Sequence, residues 1–139
     1  MLPPLSMQVN VTLDRENALP LDPEETLGNI AITDETGCRI RQENIWVDDW
    51  LAALVNGVEA LGRGEESFSA DIESEASPIV FGLQGELFSL SFAETTLTGS
   101  LSAFRNDLKK GVQKMLAAFE PDVCFRPDSL WAQLQIFAD

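Results

Sequence analysis

Asp71, Glu73 and Glu75 stand at alternate positions, so on a strand their carboxylates would project from one face. Such a row has two chemical uses: as oxygen ligands for a hard cation, or as partners for basic side chains on another protein. The ordinary alternative is the charged solvent face of an edge strand, kept acidic to prevent edge-to-edge association. That reading needs no further assumption and is preferred to both uses. As a recognition surface the row is still kept as a candidate. A second acidic pair, Asp48-Asp49, opens an apolar helical pattern and is explained by capping and by the positive end of the helix dipole. With 23 Asp and Glu in the chain, no carboxylate pair can be assigned acid–base work of the glycosidase type from sequence alone.

The chain has no histidine, which removes the usual general base of nucleophilic triads. Tyrosine is also absent. Cys38 and Cys124 lie far apart without CxxC spacing and among apolar neighbours, so two buried free thiols are expected rather than a zinc or redox site. No GxGxxG or GxxxxGK[ST] loop and no EF-hand spacing occurs. No catalytic, cofactor-binding or metal-ligating residue is therefore assigned, and the expectation is a protein that is not an enzyme and carries no cofactor.

Charge is the unusual property. Nine basic residues face 23 acidic ones, a formal net charge of −14, and sixteen of the acids against four of the bases fall within residues 1–77. A surface of that sign repels phosphate backbones and anionic lipid, so neither nucleic acid nor membrane is expected as a partner. A basic protein would be attracted. The bland alternative, acidity serving solubility, has equal weight. All three lysines, Lys109, Lys110 and Lys114, fall on one predicted helix, read as a solvated face. The N-terminus lacks a basic leader followed by an apolar run, and no apolar stretch approaches a membrane span, so a cytoplasmic protein is expected. The sequon Asn10-Val11-Thr12 falls in a predicted strand and is read as chance.

These residues need elements to hold them. Met7, Val9, Val11 and Leu13 alternate with polar residues, predicting a strand at or near a sheet edge. A proline-rich loop follows. Then Ile30/Ile32 and Cys38/Ile40 flank an Asp34-Glu35-Thr36-Gly37 turn, a hairpin pattern. In DDWLAALVNGVEALGRGEE (48–66), Trp50, Leu54, Val58 and Leu61 share a narrow arc at about 100° per residue, widened by Leu51 and Val55, and Asp48 or Asp49 suits the N-cap. Gly62-Arg63-Gly64 supplies the stop. Three alternating runs follow: Phe68/Ala70/Ile72, Ile79/Phe81/Leu83 and Phe88/Leu90/Phe92. The last two are linked across Gln84-Gly85, and Thr95–Thr98 could add a strand or a turn.

A second helix is expected from Ser100 or Ser102 to about Phe119, with Phe104, Leu108, Val112, Met115, Leu116 and Phe119 as its apolar stripe. Gly57 and Gly111 sit at the margins of the two apolar arcs, where a missing side chain would let another backbone or sheet come close. After Pro127, Asp128 could cap a short helix carrying Leu130, Trp131, Leu134, Ile136 and Phe137.

The whole predicts one α+β domain over residues 1–139: a two-layer sandwich of a twisted, mostly antiparallel sheet of about six strands, two main helices packed on one face, and a short C-terminal helix. Residues 1–6 are expected to be a flexible N-terminus. Residues 121–139 form an apolar C-terminal segment that either packs on its own domain or meets a partner. The expected function is a protein-interaction module, in concrete form an acidic inhibitor or immunity-type protein that neutralises a basic partner. The alternatives are a self-associating accessory protein, dimeric through the C-terminal segment or a sheet edge, and a carboxylate–metal enzyme with no positive support. The candidate partner-binding residues are Asp71, Glu73, Glu75, Trp131 and Phe137.

Overall fold

The computed structural model describes residues 6–11, 26–37, 39–72, 75–119 and 124–139. The described elements are β1 (Ser6–Val11), β2 (Leu27–Thr33), β3 (Arg39–Trp46), α1 (Val47–Gly62), β4 (Ser67–Ala70), β5 (Ile79–Gln84), β6 (Leu87–Phe92), β7 (Thr95–Ser100), α2 (Leu101–Ala117) and α3 (Leu130–Ala138). The fold is α+β and every strand pairing is antiparallel. The strands form two sheets rather than one, ordered β1-β2-β3 and β4-β5-β6-β7. As expected, β1 is a sheet edge.

Each sheet has one dry face. In β2, Ile30 and Ile32 are buried, and in β3 so are Ile40 and Ile45. The second sheet buries Ile79, Phe81, Phe88, Leu90, Phe92 and Leu97, with Ser67, Ser69, Val80, Thr96 and Thr98 exposed on alternate positions. The β2–β3 turn is the anticipated one: the Gly37 N–H donates to the Asp34 carbonyl at 3.1 Å, and Asp34 Oδ1 accepts from the Thr36 N–H and hydroxyl.

A bulge lies further along β3. Gly28 pairs with Ile45 and Ile30 with Gln42, so Glu43 and Asn44 together oppose Asn29. Asn44 takes a φ of 55° and donates its N–H to Asn29 Oδ1 at 3.2 Å. The extra residue shifts the alternation by one. Ile45 therefore turns inward and Trp46 outward. A bulge also bends its strand, and β3 is in contact with β7 of the other sheet without joining its ladder.

The turn between β5 and β6 falls on Gly85-Glu86, one residue later than the spacing implied, since Gln84 pairs with Leu87. Between β6 and β7 the corresponding pair is Ala93-Glu94, and Ala93 takes a φ of 53°. A positive φ at only the first turn position is what a type II′ turn requires, and glycine is its usual occupant.

Helix α1 differs most from expectation. A helix with a single dry face was predicted, yet Ala52, Ala53, Val55, Gly57 and Ala60 are buried along with Trp50, Leu51, Leu54, Val58 and Leu61. Apolar residues on nearly every side fit a helix enclosed by neighbours, and α1 packs against β2 and β3 of one sheet, β4 and β5 of the other, and α2 and α3. At Gly57 a Cβ would land on the ring of Phe81, so the anticipated close approach is to the sheet. Gly111 lies half-buried on α2.

The N-cap of α1 is Trp46, with no side-chain hydrogen bond, and Asp48 and Asp49 sit inside the first turn. The first helix donor is served otherwise, the Val47 N–H donating to the Thr26 carbonyl at 2.9 Å, and the buried Thr26 hydroxyl in turn donates to Asp48 Oδ1 at 3.2 Å. At the far end Gly64 (φ 101°) donates to the Leu61 carbonyl and Glu65 to that of Ala60, a Schellman pattern. Helix α2 starts as expected, Ser100 Oγ accepting from the Ala103 N–H at 3.2 Å. For α3 the cap is Ser129, not Asp128: Ser129 Oγ accepts from the Ala132 N–H at 3.1 Å.

Two substitutions test this packing by thermal melting. Gly57→Ala should destabilise by about 1–3 kcal/mol, because overpacking against the enclosed Phe81 outweighs the gain in helix propensity. Ala93→Gly should stabilise by about 1 kcal/mol, since it relieves a left-handed alanine.

Candidate functional site

The acidic segment begins where α1 ends. The chain reverses at Gly64 and delivers Glu65 and Glu66, both exposed, directly to β4. Within β4, Phe68 and Ala70 turn toward the core while Ser67 and Ser69 face solvent. Phe68 meets Phe81 at 6.1 Å between ring centroids, Phe81 meets Phe88 at 6.4 Å, and Phe88 meets Phe104 at 5.4 Å. This row of rings ties the edge strand through β5 and β6 to α2.

Strand β4 stops at Ala70. Asp71 lies just beyond it and is exposed, Ile72 is buried, and the chain then turns, the Glu75 N–H donating to the Ile72 carbonyl at 2.9 Å. Asp71 and Glu75 are thus past the strand, so the alternate-face geometry does not hold for them. Glu73 is outside the described residues. Asp71 and the half-buried Glu75 remain beside the edge strand. Among the described residues no group of three or more His, Cys, Asp or Glu converges as metal ligands.

Trp131 is 3% exposed, its ring edge-to-face with Phe119 at 4.8 Å. It belongs to the chain's own core and offers no surface to a partner. The C-terminal segment is held by α1 and α2, with Gln113 Nε2 donating to the Ala138 carbonyl at 2.9 Å. Phe137 is half-buried beneath the Arg105 guanidinium, 5.3 Å from its ring centroid, and the same guanidinium pairs with Glu59 at 3.2 Å. Between α1 and α3 runs a groove of about 300 Å³ whose lining includes Val55, Asn56, Leu134, Ile136 and Phe137. Ile136 is 77% exposed.

Of the lysines, Lys109 donates to the Asp139 carbonyl at 3.3 Å, while Lys110 and Lys114 are exposed on α2. Cys124 is an exposed free thiol, contrary to the buried one expected. Its apolar neighbours misled: Phe125 packs on Phe119 without drawing the adjacent side chain inward. Cys38 lies outside the described residues. Trp46 is a surface aromatic that sequence reasoning missed, exposed opposite Leu27 on the outer face of the first sheet; only recognition of the bulge would have revealed it.

The candidates therefore separate into the acidic flanks of β4, Glu65 and Glu66 before it and Asp71 and Glu75 after it, and a C-terminal helix in which Trp131 is structural. No family model matches the chain, and neither a curated protein nor a solved structure shows significant similarity to it. No helix of the described residues is long and apolar enough to cross a membrane.

Denaturant unfolding distinguishes the two groups. Trp131→Ala should cost about 3–5 kcal/mol, as for a large core aromatic, whereas Asp71→Ala should change stability by no more than about 0.5 kcal/mol.

Proposed function

We propose that the protein is a non-enzymatic interaction module that binds and neutralises a basic protein, in the manner of an inhibitor or immunity protein. The observation that carries this reading is the placement of charge. The net charge of −14 includes Glu65, Glu66 and Asp71 exposed around one short strand, which is tied to the core by Phe68 and Ala70. A field of one sign steers an oppositely charged protein into encounter. Such attraction is screened over about 8–10 Å at physiological salt, so it is felt as a salt-dependent association rate.

The test begins with capture of basic proteins from a cell extract and proceeds to titration of the purified captured protein. A combined Glu65→Lys, Glu66→Lys, Asp71→Lys variant should bind it at least about tenfold more weakly than the unaltered chain, and raising the ionic strength should weaken the unaltered chain's binding. Affinity indifferent to both changes would overturn the reading.

A further inference from the structure

The outer edge of β4 combines two features that arise independently: an open row of backbone hydrogen-bonding groups, and carboxylates at both of its ends. The register supplies the first. Ser67 pairs with Gly82 and Phe68 with Phe81, and just before the strand the Leu83 N–H donates to the Glu66 carbonyl at 2.9 Å. In an antiparallel ladder, hydrogen-bonded and non-hydrogen-bonded pairs alternate. Glu66, Phe68 and Ala70 therefore point their backbone groups toward β5, and Ser67 and Ser69 point theirs away. Strand β4 ends its sheet, and among the described residues no strand pairs with that side. Both serines are exposed.

We infer that this edge accepts an extended basic segment of the partner protein as a fifth strand, a deepening that rests on the function proposed above. Backbone groups of Ser67 and Ser69 would supply the main-chain bonds of strand addition. Glu66 at one end and Asp71 at the other, both exposed, would meet lysine or arginine side chains flanking the added strand, while Glu65 is already paired with Arg63 at 3.4 Å. Because both ends are acidic, the charge match holds for either strand direction. The same charges select the occupant. A second copy of this chain would bring like charge against like across the new pair, which is destabilising, whereas a basic strand would be drawn in. Half-buried Phe68, on the core side of β4, offers its exposed part to an apolar residue of the incoming strand, so the recognised pattern is basic residues around an alternating apolar core.

An alternating lysine–valine peptide, capped at both ends, is the probe. It should bind the intact protein and slow hydrogen exchange at the Ser67 and Ser69 amides. Ser69→Pro removes an outward N–H without touching the ladder to β5, a place where an edge strand tolerates proline; it should weaken the peptide at least tenfold. The same peptide N-methylated on every backbone nitrogen, so that neither of its edges can donate in either strand direction, should lose binding to the same degree, and this arm needs no folded variant. If the methylated and unmethylated peptides bind equally, and binding still falls with Glu66→Lys and Asp71→Lys, strand addition is overturned while electrostatic recognition of a basic partner stands. Failure of the unmethylated peptide alongside salt-sensitive binding of the captured partner has the same meaning. Binding of neither peptide nor partner overturns both.

Discussion

The contact on which the rest of the structure depends is the seating of α1 against the second sheet at Gly57, where the ring of Phe81 occupies the space a side chain would fill. With no Cβ in the way, the helix lies close enough for Trp50, Leu54 and Val58 to be fully enclosed. Phe81 in turn lies in the row of rings that joins β4, β5 and β6 to α2. A glycine inside a helix costs about 1 kcal/mol relative to alanine; here that cost is offset by close packing of several large apolar groups, each contributing about 1.5–3 kcal/mol when buried.

The polar groups are arranged around this dry centre. Thr26, the one buried polar residue among those described, has its hydroxyl on Asp48, and its carbonyl receives the first N–H of α1. That helix start is thus completed by a residue from the strand side of the fold instead of by its own cap. The Trp50 indole N–H is the exception: it is buried without a hydrogen-bond partner, and the ring packs edge-to-face on Phe92 at 4.9 Å. Elsewhere the ion pairs are exposed, as in Arg41–Glu43 and Arg63–Glu65, and such pairs add at most about 1 kcal/mol. Charge therefore does little for the core.

Much of this architecture was legible from periodicity. The β2–β3 hairpin, the meander from β4 onward, the stripe of α2 and its Ser100 cap all follow from patterns within a few residues, because turns and caps are satisfied locally. What escaped notice depended on distant groups. Asp48 looked like a cap because nothing in the local sequence reveals that Thr26 will reach it, and the bulge at Glu43–Asn44 is stabilised by Asn29 across the strand pair. The burial of α1 on nearly every side was hidden in its alanines, which a wheel ranks as neutral. For the candidate site, Asp71 and its neighbours were visible as a run of charge, but the end of β4 at Ala70 was not, since Ile72 continues the alternation after pairing has stopped. Trp131 illustrates a general ambiguity: an apolar tail has the same composition whether its own core or another molecule covers it.

The two sheets share no hydrogen-bonded strand, and α1 stands between them with side chains in contact with both. Neither sheet can shed its inner face to water without also exposing the helix that the other sheet covers. Loss of order in one half therefore removes support from the opposite half, and melting of the two should be a single concerted event despite the absence of a continuous ladder.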